Sequence, residues 1–415
     1  MSHSTTRTFV DELLKASQDR PSAADAAARS LVLDVLGIAI AGASTVEGRT
    51  VLQTMRSLGR QGASPVPLDP DGFDVATAAL VTGTMAYSIG LTDTHSQSIT
   101  HPGSSVVPAA LAVGHAVGAS DEAILRAVLV GVETVVRVGA LVNPSHRSRG
   151  FHPTATCNPF GTAIASATLL GLDLDTTLSA LGIAGSTAGG LYEFRHAGSM
   201  LMALHGGWPA QSGVTAAYLA AEGFTGPHTV LEGPEGFFRG FADTIRPEQL
   251  TVPGTGDQWG VQELSLRPYN ACRYAHSGID AIALIDAEHG PVPRGDVRSI
   301  TVWTHRTAVE QESEPTTLVA ARLSTAFTIA LTFLYGARLD EMTAEDLADP
   351  AVRELLPRVA IKEDPRLTEL FPRLWACRVE LEMNDGRVLS AEVTAPKGEP
   401  SNPMTADEQL SLIHI

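Results

Sequence analysis

Two histidine-containing loops are the part of this sequence best suited to chemistry. The first reads TDTH at residues 92–95 and HPG at 101–103, and the second reads RGFHPTAT at 149–156. Imidazole is the side chain best suited to move protons near neutral pH. Each loop leads into an apolar segment rich in small residues. The sequence therefore predicts one cleft in which His101 and His152 form an acid/base pair, in an order that it does not fix.

Neighbouring polar residues extend this candidate site. Asp93 is a third candidate for catalysis, or else an acceptor that stabilises the turn. Thr94 either binds a substrate carboxylate through its hydroxyl or bonds to the backbone. His205 and Arg195 are further candidates for substrate binding, and Arg195 lies in a glycine-flanked loop, 194–199, that is placed to cover a cleft.

A second group of candidates lies between residues 267 and 276. A guanidinium matches a carboxylate bidentately, so an anionic substrate would be held most naturally by arginine. We expect Tyr269, Arg273 and His276 to contact such a substrate. The alternative is ordinary pairing of these charges with surface carboxylates.

Two other kinds of site are not expected. Gly185, Gly189 and Gly190 follow no predicted strand and lack the GxxxxGK[ST] spacing, so they do not form a phosphate loop. His95 and His101 are close in sequence, but no third ligand accompanies them, and no metal site is predicted.

Composition limits the class of protein. A chain of 415 residues exceeds one ordinary core, so two domains are expected. The net charge of −17 argues against nucleic acid or an anionic membrane as partner. There are three cysteines, an odd number and widely spaced, which indicates a reducing, cytoplasmic setting and no disulfide framework. No lysine stands in an apolar motif, so Schiff-base chemistry is not expected.

Hydrophobic periodicity predicts a helical domain over 1–265. Its expected helices include 23–41, 74–91, 106–117, 121–142, 158–170, 175–190 and 211–222. Residues 266–395 read as a smaller α+β domain, with strands at 297–304, 377–383 and 387–394 and a helix at 318–335. Residues 396–415 read as a linker and the start of a C-terminal helix, capped by Thr405, that is cut short.

Taken together, these residues resemble the MmgE/PrpD family, whose members include 2-methylcitrate dehydratases, cis-aconitate decarboxylase and iminodisuccinate epimerase. The resemblance rests on LDVLG at 33–37, HPG at 101–103, RGFHPT at 149–154, AGS at 184–186, AGGL at 188–191, QSGV at 211–214, GFTGP at 223–227, RPY at 267–269 and NPM at 402–404. It implies a mainly α protein: a large all-helical domain, a smaller lid-like α+β domain and a cleft between them. It implies no metal or other cofactor.

The family's active site is not retained in full. Relatives usually read DFDDT where this chain has GLTDT at 90–94, so Gly90 replaces an acidic residue. Met202 stands where relatives carry a lysine, and Phe327 where a tyrosine is common. Within this comparison, Arg195 is a local substitute for the missing cation.

The leading hypothesis is a cofactor-independent lyase. It would abstract a proton next to a carboxylate of a small polycarboxylate or related acid, as dehydratases and decarboxylases do. One alternative is an epimerase or isomerase on a similar acid. Another is a diverged relative that binds a ligand without catalysis. We also expect a homodimer formed through the helical domain, because helices such as 106–117 are apolar on more faces than one core uses.

Overall fold

The computed structural model describes residues 5–254, 257–309, 314–337, 342–405 and 408. The chain divides into two compact units: one comprises Met1–Tyr192 and Met200–Leu264, and the other comprises Glu193–Ser199 and Ser265–Ile415. Segment 193–199, which contains Arg195, thus groups with the second unit although it interrupts the first in sequence.

The first unit is built from helices. They are α1 (Thr5–Ala16), α2 (Ser22–Gly42), α3 (Val46–Ser57), α4 (Val75–Ser88), α5 (Gly103–Val117), α6 (Asp121–Val142), α7 (Ser145–Ser148), α8 (Pro153–Leu169) and α9 (Leu174–Ser186), followed, after α10 (Phe194–Ala197) of the second unit, by α11 (Leu201–Ala221) and α12 (Phe237–Phe241). A hairpin of β1 (Ser64–Val66) and β2 (Asp69–Phe73) and 3₁₀ turns at Pro247–Gln249 and Gly260–Glu263 complete it.

Helix α11 packs against α4, α5, α8 and α9 in the centre of this unit. Small residues permit the close approach: a Cβ atom on Gly206 of α11 would lie only 2.5 Å from the Gly83 carbonyl oxygen of α4. Helices α4, α5 and α8 are buried on nearly every face. The interior helix predicted at 106–117 is thereby confirmed, and it begins three residues earlier than predicted, at Gly103.

Two predicted helix starts are wrong. Helix α8 begins at Pro153 and not at Asn158, and α11 begins at Leu201 and not at Gln211. The Asn-Pro signal misleads because the Asn158 side-chain amide donates hydrogen bonds to the His101 carbonyl oxygen (3.1 Å) and the Ser105 hydroxyl (2.9 Å) instead of capping a helix. Proline is thus tolerated inside both helices, whose neighbours hold them in place.

The second unit combines helices with one four-stranded sheet in the order β4-β3-β5-β6. Its strands are β3 (Val297–Thr304), β4 (Val359–Glu363), β5 (Cys377–Met383) and β6 (Val388–Val393). Besides α10, its helices are α13 (Arg273–His289), α14 (Arg306–Val309), α15 (Leu318–Leu323), α16 (Thr325–Tyr335), α17 (Ala344–Ala348), α18 (Pro350–Leu355) and α19 (Pro365–Leu370), with 3₁₀ turns at Arg294–Asp296 and Leu356–Arg358.

Strands β5 and β6 pair antiparallel across the predicted turn, whereas β3 and β4 pair parallel. The helix predicted over 318–335 is interrupted at Ser324, whose hydroxyl caps α16 by accepting from the Phe327 amide. Strand β4 was not predicted, because its five residues carry little alternation. A mainly helical protein with a small α+β part is confirmed as the fold class.

The chain after the sheet returns to the second unit. The Leu266 amide donates to the Gly398 carbonyl oxygen at 3.0 Å. Thr405 and Glu408 exchange hydrogen bonds in the manner of a helix cap, but the helix predicted from Ala406 lies outside the described residues. Within the described part of the chain, no single helix is long and apolar enough to cross a bilayer; α2 and α3 meet that length and composition only as a pair bent by 82°.

Candidate functional site

His101 lies at the end of the loop between α4 and α5 and is fixed to α8 through its backbone. Its amide donates to the Thr154 hydroxyl at 3.2 Å, and its carbonyl oxygen accepts from Asn158 at 3.1 Å. The same loop is closed on itself, because the His95 amide donates to the Thr100 carbonyl oxygen at 3.0 Å. These bonds give His101 a defined backbone position without placing it in a helix.

The hydrogen bonds of the His101 side chain show which of its ring nitrogens carries a proton. Its Nδ1 lies 2.7 Å from the Asp93 carbonyl oxygen, which only accepts, so Nδ1 carries the proton. In the neutral imidazole, Nε2 then keeps its lone pair and can act as a base. The Thr94 hydroxyl lies 3.2 Å from the same Nδ1. Thr94 therefore contacts His101 directly, which the sequence did not indicate.

Asp93 is fully buried and binds backbone. Its carboxylate accepts a hydrogen bond of 3.0 Å from the Gly103 amide in the first turn of α5. An acidic side chain at a helix N-terminus is favoured by the helix dipole. Asp93 therefore acts as the turn acceptor, one of the two roles that the sequence left open. A catalytic role for it remains a prediction.

His152 stands immediately before α8, in a loop that pairs with residues 190–192. Its amide donates to the Gly190 carbonyl oxygen at 3.0 Å, and the Tyr192 amide donates to the Gly150 carbonyl oxygen at 2.8 Å. The His152 side chain is buried, with only 2% of the residue exposed. Packing therefore depends on this histidine more than its place in a Gly/Pro loop predicts.

The structure brings four side chains together in the first unit. The Tyr87 hydroxyl lies 3.3 Å from His152 Nε2, and His152 Nδ1 lies 2.8 Å from His205 Nδ1. The Tyr87 ring is centred 5.4 Å from the ring of His101 and 6.1 Å from that of His152. The close approach of Gly83 and Gly206 makes this possible, because Tyr87 follows Gly83 by one turn of α4 and His205 precedes Gly206 in α11.

Burial determines the charge of this cluster. It lowers the pKa of His152 well below its usual range, and the positive charges of neighbouring His205 and His101 would lower that pKa further. Burial also lowers the pKa of His205 to about 4. Both imidazoles are therefore neutral at pH 7, each with one N–H and one lone pair, and both can take part in proton transfer.

Three residues beside His152 were missed by the sequence analysis. Tyr87 contacts its Nε2, and the Tyr192 ring meets its ring edge-on with centroids 5.0 Å apart. The Arg147 guanidinium lies over the Tyr192 ring at 3.8 Å and contributes to the lowered pKa of His152. The one available signal for Tyr87 was its i, i+4 spacing from Gly83, which puts both residues on one face of α4. That spacing does not reveal which helix packs against the face.

The predicted substrate ligands of the second unit are engaged within that unit. The buried Arg273 guanidinium forms an ion pair with Glu399, while its Nε and Nη1 have no hydrogen-bond partner among the described residues. The Tyr269 hydroxyl donates to Asp280 at 2.6 Å, and burial and this contact raise its pKa. His276 Nε2 donates to the Ala271 carbonyl oxygen at 3.1 Å, and burial lowers its pKa.

Arg195 is buried in α10 of the second unit. Among the described residues, no group of three or more His, Cys, Asp or Glu side chains has an arrangement that holds a metal ion. Of the predicted site residues, His101, His152, His205, Thr94 and Asp93 thus belong to the first unit, and Tyr269, Arg273, His276 and Arg195 to the second.

Known proteins with similar sequences agree with this architecture. The sequence pattern of the MmgE/PrpD N-terminal domain matches residues 8–250, and that of the MmgE/PrpD C-terminal domain matches residues 269–411. The chain belongs to the MmgE/PrpD family.

Several relatives carry a more specific name. A cis-aconitate decarboxylase-like protein, oryM, from Aspergillus oryzae is 28% identical over 80% of this chain and 73% of its own length. The cis-aconitate decarboxylase of Aspergillus terreus is 26% identical over 92% of this chain and 83% of its own length. The cis-aconitate decarboxylase of Mus musculus is 26% identical over 92% of this chain and 80% of its own length.

The three positions expected from the sequence to depart from the family have distinct settings. Gly90 has a positive φ of 76°, a conformation that favours glycine. Met202 is half-buried in the first turn of α11, one turn before His205. Phe327 is fully buried in the core of the second unit.

Proposed function

We propose that this protein is a cofactor-independent lyase that removes a proton from a carbon next to a carboxylate of a small polycarboxylate. The observation that carries the proposal is the cluster of Tyr87, His101, His152 and His205. In it, burial keeps His152 and His205 neutral, and the Tyr87 ring lies 5.4 Å from that of His101 and 6.1 Å from that of His152. The names of the relatives, cis-aconitate decarboxylases, support the substrate class and the lyase reaction type.

The chemistry needs a base, an acid and a counter-charge. His101 offers a lone pair at Nε2, because its Nδ1–H is committed to Asp93. His152 is the second proton-transfer group, and burial keeps it neutral. Arg147, stacked on Tyr192, supplies positive charge near His152 that would stabilise the enolate-like intermediate. Departure of a β-hydroxyl as water from that intermediate completes a dehydratase reaction. In a decarboxylase reaction, loss of CO₂ itself leaves the electron pair on the substrate carbon, and the acid returns a proton to it.

The substrate ligands expected from the sequence stay proposals: Thr94, Arg195, His205, Tyr269, Arg273 and His276. Arg273 is the one best suited to a carboxylate, and its present partner is the carboxylate of Glu399. A substrate carboxylate would either replace Glu399 or use the two guanidinium nitrogens, Nε and Nη1, that have no hydrogen-bond partner in the described part of the chain.

An epimerase or isomerase is the second candidate. The imidazoles of His101 and His152, both close to Tyr87, suit removal of a proton by one and its return by the other. Gly90 and Met202 also lack the acidic and basic groups that relatives carry, and departure of a hydroxyl usually needs a dedicated acid. A diverged relative that binds an acid without catalysis is the third candidate.

Incubation with candidate acids in D₂O, followed by mass spectrometry, tests these alternatives. cis-Aconitate, 2-methylcitrate and related amino and hydroxy acids are the first substrates. A decarboxylase yields a product lighter by CO₂ with deuterium incorporated, and a dehydratase yields a product lighter by water. An epimerase or isomerase yields deuterated substrate or isomer of the same elemental composition. Binding with neither product formation nor deuterium uptake for any acid would contradict an enzymatic role. His152→Gln, compared at equal protein concentration, should remove the exchange.

A further inference from the structure

We infer that the Tyr87 hydroxyl is a catalytic proton-transfer group of this enzyme and that His205 is a positioning residue that acts on it through His152. This inference rests on the proposed function. Tyr87 is part of the cluster by geometry alone: its hydroxyl lies 3.3 Å from His152 Nε2, and its ring stacks on that of His152 with an interplanar angle of 14°.

The first step of the argument is that both ring nitrogens of His152 are already bound inside the protein. Nε2 faces the Tyr87 hydroxyl and Nδ1 faces His205 Nδ1. With neither nitrogen directed elsewhere, His152 cannot meet a substrate atom without losing one of these contacts. Protons that enter or leave His152 along the existing hydrogen bonds pass through Tyr87 or His205.

The second step concerns the direction of the hydrogen bonds. Between two neutral imidazoles that share an Nδ1–Nδ1 contact, one nitrogen donates and the other accepts. If His152 donates from Nδ1 to His205, its Nε2 holds a lone pair and accepts from the Tyr87 hydroxyl. If His205 donates instead, His152 carries its proton on Nε2 and donates to the Tyr87 oxygen. His205 thus determines whether Tyr87 serves as base or as acid.

The proton transfers balance in the state in which His152 donates from Nδ1 to His205. The Tyr87 oxygen accepts the proton of the substrate C–H bond as its own proton passes to His152 Nε2. His152 returns to neutrality by passing its Nδ1 proton to His205 Nδ1. The C–H electron pair stays on the substrate as an enolate, and the matching positive charge is on the His205 imidazolium. Reversal of the same transfers protonates the intermediate.

The setting of Tyr87 fits this role. The residue is 3% exposed, at the end of α4, and its ring is 5.4 Å from that of His101 and 6.1 Å from that of His152, so it neighbours both histidines predicted as the acid/base pair. Three residues later in the sequence, Gly90 contributes no side chain, so the Tyr87 phenol is the proton-transfer group that this end of α4 supplies.

Tyr87→Phe is the direct test, because it removes the hydroxyl and keeps the ring. In the D₂O assay we expect kcat for deuterium exchange to fall by about 100-fold or more, with KM changed by less than about 3-fold. The basic limb of the pH–rate profile should also change, since a phenol is removed. Tyr218→Phe, an equivalent deletion far along α11, is the matched control and should keep wild-type kinetics.

A spectroscopic readout separates the hydrogen-bond chain from activity. In protein labelled with ¹⁵N-histidine, with His152 assigned from His152→Gln, Tyr87→Phe should shift the Nε2 resonance of His152, and His205→Gln should change its tautomer. An unchanged His152 spectrum in both variants would overturn the inference. So would exchange that is lost in His152→Gln but kept in Tyr87→Phe. If wild-type protein neither exchanges nor converts any acid, the proposed function fails, and this inference fails with it.

Discussion

His152 and His205 face each other through their Nδ1 atoms, 2.8 Å apart, from the start of α8 and the second turn of α11. One nitrogen must donate to the other, so the protonation of either ring fixes that of its partner. The family's motif marks His152, but the pairing with His205 belongs to the folded chain.

Replacement of His152 should abolish turnover. We expect His152→Gln to lower kcat by at least about 100-fold, because a neutral imidazole that can gain and lose a proton is replaced by an amide that cannot. Glutamine is preferred to alanine, since the ring is buried and its deletion would leave a cavity. Circular dichroism and thermal melts check that the fold is kept. A variant that is folded and retains near-wild-type rate would contradict the assignment.

The family's missing polar groups can be restored one at a time. Met202→Lys should be tolerated, because Met202 is half-buried in the first turn of α11, and it should favour substrates with an additional carboxylate.

Gly90→Asp should lower the free energy of unfolding by about 1 kcal/mol, because φ at this position is 76°. Gly90→Asn carries the same backbone cost without the charge. Chemical denaturation measures the cost. The two changes are then combined, and failure of the Gly90→Asp, Met202→Lys double variant to gain activity on cis-aconitate or 2-methylcitrate would show that the pocket differs beyond these positions.

Asp34 should make the free energy of unfolding depend on pH. Burial and the nearby Asp93 raise its pKa to about 8, and its Oδ2 has no hydrogen-bond partner among the described residues. The folded state therefore holds a proton that the unfolded state releases near pH 4, so this contribution to stability is present at low pH and is lost as pH rises from about 4 to 8.

Asp34→Asn removes that dependence. Relative to wild type, the variant should gain stability across this range, by at least about 2 kcal/mol between pH 4 and pH 8. Urea titrations at several pH values measure the difference between the two proteins. A constant difference across the range would show that the Asp34 carboxyl ionises normally in the folded protein.

The ion pair of Arg273 and Glu399 should stabilise the second unit. Glu399→Gln leaves a buried guanidinium without its counter-charge and should cost on the order of 3–5 kcal/mol. Glu392→Gln removes a carboxylate from the exposed Arg366 pair and should cost less than about 1 kcal/mol, which makes it the matched control. Equal melting temperatures of the two variants would contradict the buried pair.

Association into a homodimer through the helical unit remains a prediction. An apolar groove of about 650 Å³ beside α5 is lined by residues that include Leu36, Ile40, Leu68 and Leu111. Exposed apolar surface of this kind commonly marks an interface. Light scattering should give a two-chain mass that Ile40→Asp reduces to one chain, whereas Val388→Asp, at an exposed position of the second unit, leaves it unchanged. A wild-type monomer would refute the dimer.

The sequence by itself determined the family, the fold class, the interior position of α5 and the strands β3, β5 and β6. Local patterns suffice for these features, because apolar periodicity and turn residues are read within a few positions of each other. Helix starts were less predictable. Asn158 has the character of a cap, but its amide binds His101 and Ser105, which are distant in sequence.

The tertiary structure alone decided which side chains meet. Tyr87 and Arg147 carry no motif, and they reach His152 because α4 and α11 approach at Gly83 and Gly206 and because the loop before α8 pairs with residues 190–192. The charge of the histidines was likewise undetermined by the sequence, since a pKa follows from burial and from neighbouring charges. Residue types specify what chemistry is available, whereas helix packing selects which groups exchange a proton.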